Sequence, residues 1–137
     1  MKLVLDTNVL VSGIGWAGPP AEVLRGCLCG VFQFRTSPEL LAELANVLRS
    51  PKLSAIASRP ELAELLTFLH RSEHLVYPSH SLQVIREGPA DNRILEAAIA
   101  SAADRIISGD DHLLQLGSWG GIAIQTPTEL LRRHPVT

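Results

Sequence analysis

Lys2-Leu3-Val4-Leu5-Asp6-Thr7-Asn8-Val9-Leu10-Val11 sets the architecture of this chain. The apolar run Leu3–Leu5 is too short for a helix and suits a strand buried on both faces. It stops at Asp6-Thr7-Asn8, and a second apolar run begins at once. Asp6 then stands at the carboxyl end of the strand, where open α/β sheets place their ligands. Asp6 or Thr7 would serve equally well as the cap of the following helix. The choice between ligand and cap depends on whether other acids reach the same edge.

Outward from this stretch, strand-like and helix-like segments alternate to the end of the chain. Asn8–Ile14 reads as a short helix, interrupted by a loop spanning the glycines and prolines from Gly13 to Pro20. Pro20–Leu28 resumes helical spacing, with Val23, Leu24 and Leu28 as its inward stripe, and Phe32–Arg35 is a second strand. Ser37-Pro38 is a strong helix start. The helix from Pro38 to about Ser50 carries Leu40, Leu41, Leu44, Val47 and Leu48 on one face. Pro60 starts another, with Leu62, Leu65, Leu66 and Leu69 inward. His74–Tyr77 reads as a third strand, and Pro78–Pro89, with His80, Arg86 and Glu87, as polar and irregular. An alanine-rich helix from Asp91 to Ala103 buries Ile94, Leu95, Ala98, Ile99 and Ala102. Arg105–Ser108 and Gly121–Gln125 are the last strands, and Pro127–Arg133 is the last helix, capped by Thr126. This alternation is the pattern of a parallel α/β sheet with helices on both faces.

A length of 137 residues, 46% hydrophobic and 19% charged, fits one globular domain spanning 1–137. No apolar run reaches the ~20 residues that span a bilayer. The amino terminus does not read as a secretory signal. Cys27 and Cys29 face apart on a helix, so a reduced, cytoplasmic protein is expected. A net charge of −2 argues against binding nucleic acid through a broad basic surface. It leaves room for an enzyme on nucleic acid, because a divalent metal would change the local sign.

The acids carry the chemistry. Asp110 closes the fourth strand as Asp6 closes the first, so both point at one edge of a parallel sheet. Asp91 falls near the centre of its helix's inner stripe, at the amino-terminal end. Glu43 lies about 40° outside the apolar stripe of its helix, a boundary position, with Glu39 farther towards solvent. Ser108 and Asp111 are either supports or turn residues. Each acid alone reads as cap, turn or surface charge. Together, carboxylates at one edge would repel and raise one another's pKa values, and a divalent cation relieves that strain. Mg²⁺ or Mn²⁺ is expected over Zn²⁺, since no Cys or His cluster accompanies the acids. Among the histidines at 70, 74, 80, 112 and 134, only His112 is near the site in sequence, and it reads as a bystander.

Leu5-Asp6-Thr7-Asn8-Val9-Leu10, Ser37-Pro38-Glu39-Leu40-Leu41-Ala42-Glu43-Leu44, Asp91-Asn92-Arg93-Ile94-Leu95-Glu96-Ala97-Ala98 and Ile107-Ser108-Gly109-Asp110 resemble, in order, the four motifs of PIN-domain nucleases. The nearest subgroup is the toxin components of bacterial toxin–antitoxin systems. The resemblance implies a three-layer α/β/α fold with a central parallel sheet of about five strands in the order 3-2-1-4-5. It implies that Asp6, Glu43, Asp91 and Asp110 hold Mg²⁺ or Mn²⁺, with Thr7, Asn8 and Ser108 as hydrogen-bonding supports. The implied activity is hydrolysis of RNA phosphodiesters, and the implied partners are an antitoxin protein and further copies of the chain. Two departures stand out: the third motif reads Gly88-Pro89-Ala90-Asp91 where relatives carry further acids, and His112 occupies a position that is often acidic. A PIN-like binding module with little turnover is the competing reading. An aspartyl-nucleophile phosphatase is disfavoured, because Asn8 stands where its second Asp is expected.

Overall fold

The computed structural model describes residues 1–79 and 89–137, so His80, Arg86 and Glu87 of the expected irregular segment lie outside it. The strands are β1 (Lys2–Leu5), β2 (Gln33–Arg35), β3 (Arg105–Ile107), β4 (Ser118–Trp119) and β5 (Ile122–Gln125). They form one sheet in the order β2-β1-β3-β5-β4. Every pairing but β4 with β5 is parallel. Leu3, Val4 and Leu5 are at most 2% exposed, as a parallel strand covered on both faces requires. β1 is the central strand, between β2 and β3.

The helices are α1 (Thr7–Gly15), α2 (Pro19–Leu28), α3 (Pro38–Leu48), α4 (Ser54–Ala57), α5 (Pro60–Leu69), α6 (Pro89–Ser101), α7 (Asp111–Leu116) and α8 (Pro127–Arg133). The period of two along β1 sorts them into layers. Leu3 and Leu5 pack with side chains of α1, α2, α3, α5 and α8. Val4 packs on the other face with Ile94, Leu95 and Ala98 of α6 and Leu113 of α7. α3 straddles the two cores, sending Leu41, Leu44 and Leu48 into the first and Leu40 into the second. Each fully buried leucine contributes roughly 1.5–3 kcal/mol, which fixes the rotation of α3 and, with it, the direction of Glu43.

The expected 3-2-1-4-5 order holds with two differences at the edges. The third strand shrinks to a single parallel bridge between Thr36 and Leu75. His74 closes a 3-10 turn, Ser72–His74, instead of extending a strand. Its ring Nδ1 lies 2.7 Å from the Phe68 carbonyl and its ring packs edge-on against Phe34, so it is a core histidine. At the opposite edge the short antiparallel β4 is added through the turn at Gly120 and Gly121, both of positive φ.

The loop expected over Gly13–Pro20 contracts to the three residues between α1 and α2. Gly13 and Gly15 belong to α1, where they permit close helix packing. A Cβ on Gly13 would lie 2.9 Å from the Pro20 carbonyl oxygen, and one on Gly15 would lie 2.6 Å from Ile56 Cδ1. Two inward stripes also need correction. Leu28, expected inside, is 47% exposed, because α2 ends there and the chain turns away.

In α6 the buried face is Ile94, Leu95, Ala97, Ala98 and Ser101, while Ile99 and Ala102 are exposed. The helix stops at Ser101, and Ala102 takes a left-handed φ of 51° so that the Ala103 amide can reach the Ala98 carbonyl at 3.0 Å. That turn favours glycine. Ala102→Gly should raise the unfolding free energy by about 0.5–1 kcal/mol, read from urea denaturation.

Candidate metal centre at the carboxyl edge of the sheet

The parallel pairing of β1 with β3 carries Asp6 and Ser108 to the same edge. At the N-cap of α1, Asp6 has the Asn8 amide near enough to favour its charged form but accepts no regular capping hydrogen bond there. It accepts instead a 2.6 Å hydrogen bond from the Ser108 hydroxyl. The same Ser108 oxygen accepts the Asp110 amide at 2.9 Å. Ser108, fully buried, thus ties the ends of two neighbouring strands together.

Asp110 follows the opposite course from Asp6. Its Oδ1 caps α7, accepting the amides of His112 at 2.8 Å and Leu113 at 3.4 Å. Capping through one oxygen leaves the other free to face the site, so cap and ligand are compatible roles. Asp91 lies in the first turn of α6 and is only 9% exposed, because the rotation that buries Ile94 and Leu95 turns it inward too. Glu43 stands on the rim, where its Oε2 accepts the Thr7 hydroxyl at 3.0 Å. Thr7 is buried and fixes that contact. Asn8 has an exposed side chain, and it is its backbone amide that lies behind Asp6. Asp111 is exposed on the first turn of α7.

The electrostatics show that these groups feel one another. Burial pushes the Asp6 carboxyl above its usual range; the Ser108 hydroxyl and the Asn8 amide pull it back, and Asp110 raises it again. Asp91 is pushed up to about 6, first by burial, then by the charges of Asp110 and Asp6 and a hydrogen bond with Asp110; His112 opposes the rise. The fit to a cation follows from the same contacts, since a positive ion removes the repulsion that raises these values. An oxygen of Asp91, an oxygen of Asp110 and a ring nitrogen of His112 all lie within 4.8 Å of one another. Asp6 is joined to that set through Ser108, whereas Glu43 is tied only to Thr7, the residue that follows Asp6.

His112 is the member that the sequence reading set aside. A signal for it exists: an aspartate capping a helix holds the amide of the second helical residue, so the side chain at that position is drawn beside the carboxylate.

A family model described as PIN domain matches residues 2–112, from the start of β1 through the Asp110–His112 turn. The chain belongs to the PIN-domain family. No curated protein and no solved structure matches it. Membership in the family carries nuclease-type chemistry, and PIN domains bind divalent metals, for which the Asp91–Asp110–His112 group offers a place. Among the described residues, no helix is long and apolar enough to cross a membrane.

Ser108 gives this PIN domain a test that leaves the acids intact. Ser108→Ala frees Asp6 from its hydroxyl donor and should weaken Mn²⁺ binding about tenfold in calorimetric titration, the cost typical of losing a group that orients a metal ligand.

Proposed function

We propose that this PIN domain is a metal-dependent endoribonuclease, and that it is the toxin of a toxin–antitoxin pair. The observation that carries the catalytic part is the convergence of Asp91 and Asp110 on one spot, with Asp6 bound to the same hydroxyl that holds the Asp110 amide. Asp6, Glu43, Asp91 and Asp110 are the residues proposed to hold Mg²⁺ or Mn²⁺. The bound ion supplies an activated water and neutralises charge that grows on the phosphate oxygens. Thr7 holds Glu43 by its hydroxyl, and Ser108 holds the Asp6 carboxylate in the same way. Among the described residues, Asn8, Gly109 and His112 are exposed around the acids, which suits a long polymer better than a small molecule in a closed pocket. Attack by water is the chemistry this reading assigns, with no protein nucleophile required.

The partner part of the proposal is supported by a separate surface. A cleft of about 700 Å³ runs between α1, α2 and α5, lined by Ile14, Leu24, Leu28, Leu62 and Leu65, with Arg25, Arg59, Glu61 and Glu64 at its sides. Leu28 in this lining is an exposed large apolar side chain, as is Trp16 in the turn between α1 and α2. An antitoxin segment with an apolar face is the partner this reading assigns, and self-association into a dimer or higher oligomer accompanies it. The decisive experiment is cleavage of a labelled single-stranded RNA with Mg²⁺ or Mn²⁺, comparing the wild type with Asp6→Asn and Asp110→Asn. Cleavage lost in both variants supports the assignment; equal cleavage in all three proteins assigns the activity to a contaminant.

A further inference from the structure

Asp110 holds the amide of His112, and this fixes more than the start of α7. The hydrogen bond brings the imidazole over the carboxylate, with Nδ1 3.8 Å from Asp110 Oδ1. That distance is too long for a hydrogen bond. It sets the ring beside a carboxylate whose other oxygen takes no part in the cap, and two ligands about 2.1 Å from one ion lie about 3–4 Å apart. The Asp91 oxygen completes the set, all three donors lying within 4.8 Å of one another. The bland account is a weak surface contact of the kind that contributes little. It leaves unexplained why the imidazole comes within 4.8 Å of oxygens from both Asp91 and Asp110.

We propose that His112 is a nitrogen ligand to the divalent ion held by Asp91 and Asp110, and that it biases this site toward Mn²⁺ over Mg²⁺. The inference rests on the metal-site reading given under Proposed function. Mg²⁺ is a hard ion that favours oxygen and keeps its waters, whereas imidazole binds first-row transition ions more readily. Two carboxylates and one imidazole make a mixed oxygen and nitrogen donor set, which suits a first-row transition ion better than Mg²⁺. The three donors come from the first turns of α6 and α7, elements anchored by Ile94, Leu95 and Leu113 in a common core. The half-exposed His112 ring needs only a small rotation to close on an ion between them. Departure from an acid at this position is thus a change of donor atom, with a change of metal preference as its consequence.

The test is made on the Mn²⁺-loaded protein at pH 7.5. Pulsed electron paramagnetic resonance should show the ¹⁴N coupling of a directly bound imidazole in the wild type and lose it in His112→Ala. Calorimetric titrations with Mn²⁺ and Mg²⁺ should show the ratio of their affinities falling about tenfold in His112→Ala, and in His112→Asp through restored oxygen ligation. Circular dichroism verifies that both variants fold. Coupling that is absent in the Mn²⁺-loaded wild type, or unchanged in His112→Ala, overturns the inference while the carboxylate metal site stands. A folded wild type that takes up no Mn²⁺ removes the metal-site reading itself, and the inference with it.

Discussion

Asp110→Asn should lower the rate of RNA cleavage by at least about 100-fold while leaving the protein folded. The asparagine side chain has nearly the volume of aspartate, and its carbonyl oxygen can still accept the His112 and Leu113 amides that start α7. What it loses is the charge that would draw the cation to Asp91. Asp6→Asn should behave alike, since Ser108 can donate to an amide oxygen as it does to a carboxylate. Initial rates on a fluorogenic RNA, with far-ultraviolet dichroism as the fold control, check both. A folded Asp110→Asn protein of wild-type rate would place the chemistry elsewhere.

Asp91→Asn should uncouple stability from metal binding. The Asp91 carboxyl has a folded-state pKa of about 6 against 3.8 for the free side chain. The folded chain therefore holds the proton more tightly than the unfolded chain. Between pH about 4 and 6 folding takes up that proton, so stability falls as pH rises across the window and the loss is complete above it. Two pH units correspond to about 3 kcal/mol, and solvent at the open edge reduces this to about 1.5 kcal/mol. In chelator at pH 7, Asp91→Asn should be more stable than the wild type by that amount, with the difference vanishing near pH 4. Urea denaturation at the two pH values measures it. Excess Mn²⁺ should reverse the order, because only the wild type gains the free energy of binding. A variant less stable than the wild type in chelator at pH 7 would mean that the Asp91 charge is compensated within the protein.

Much of this arrangement can be read in the sequence, and the parts that cannot have physical reasons. Leu3-Val4-Leu5 reads as a doubly buried strand because a continuous apolar run flanked by turn residues has few other uses. Asp6 and Asp110 follow from the parallel pairing of their strands, since parallel strands end at one edge. Whether each also caps a helix does not follow. The structure answers differently for the two: Asp110 caps α7, and Asp6 turns away to Ser108. Glu43 looked like a boundary residue by helical geometry, and its tie to Thr7 required knowing how α1 leaves the strand. The Gly13–Pro20 stretch misleads because glycine serves close helix packing as well as turns, and only the neighbours, Pro20 and Ile56, tell which. Ala102 is misread because the apolar period continues past the point where α6 has already ended, and Ile99 because an apolar residue beside the stripe looks buried although it lies on the exposed side of the helix. His112 shows no ligand spacing to another histidine because its partners are aspartates on two different elements.

Calorimetric titration of Mn²⁺ into the metal-free protein at pH 7 tests the central claim, that Asp91 and Asp110, with Asp6 behind them, form a divalent-metal centre. Saturable binding by the wild type, lost in folded Asp110→Asn, is the predicted result. A folded wild type that takes up no Mn²⁺ at millimolar concentration, or an Asp110→Asn variant that binds as well as the wild type, would contradict it and favour a PIN domain that works by binding alone.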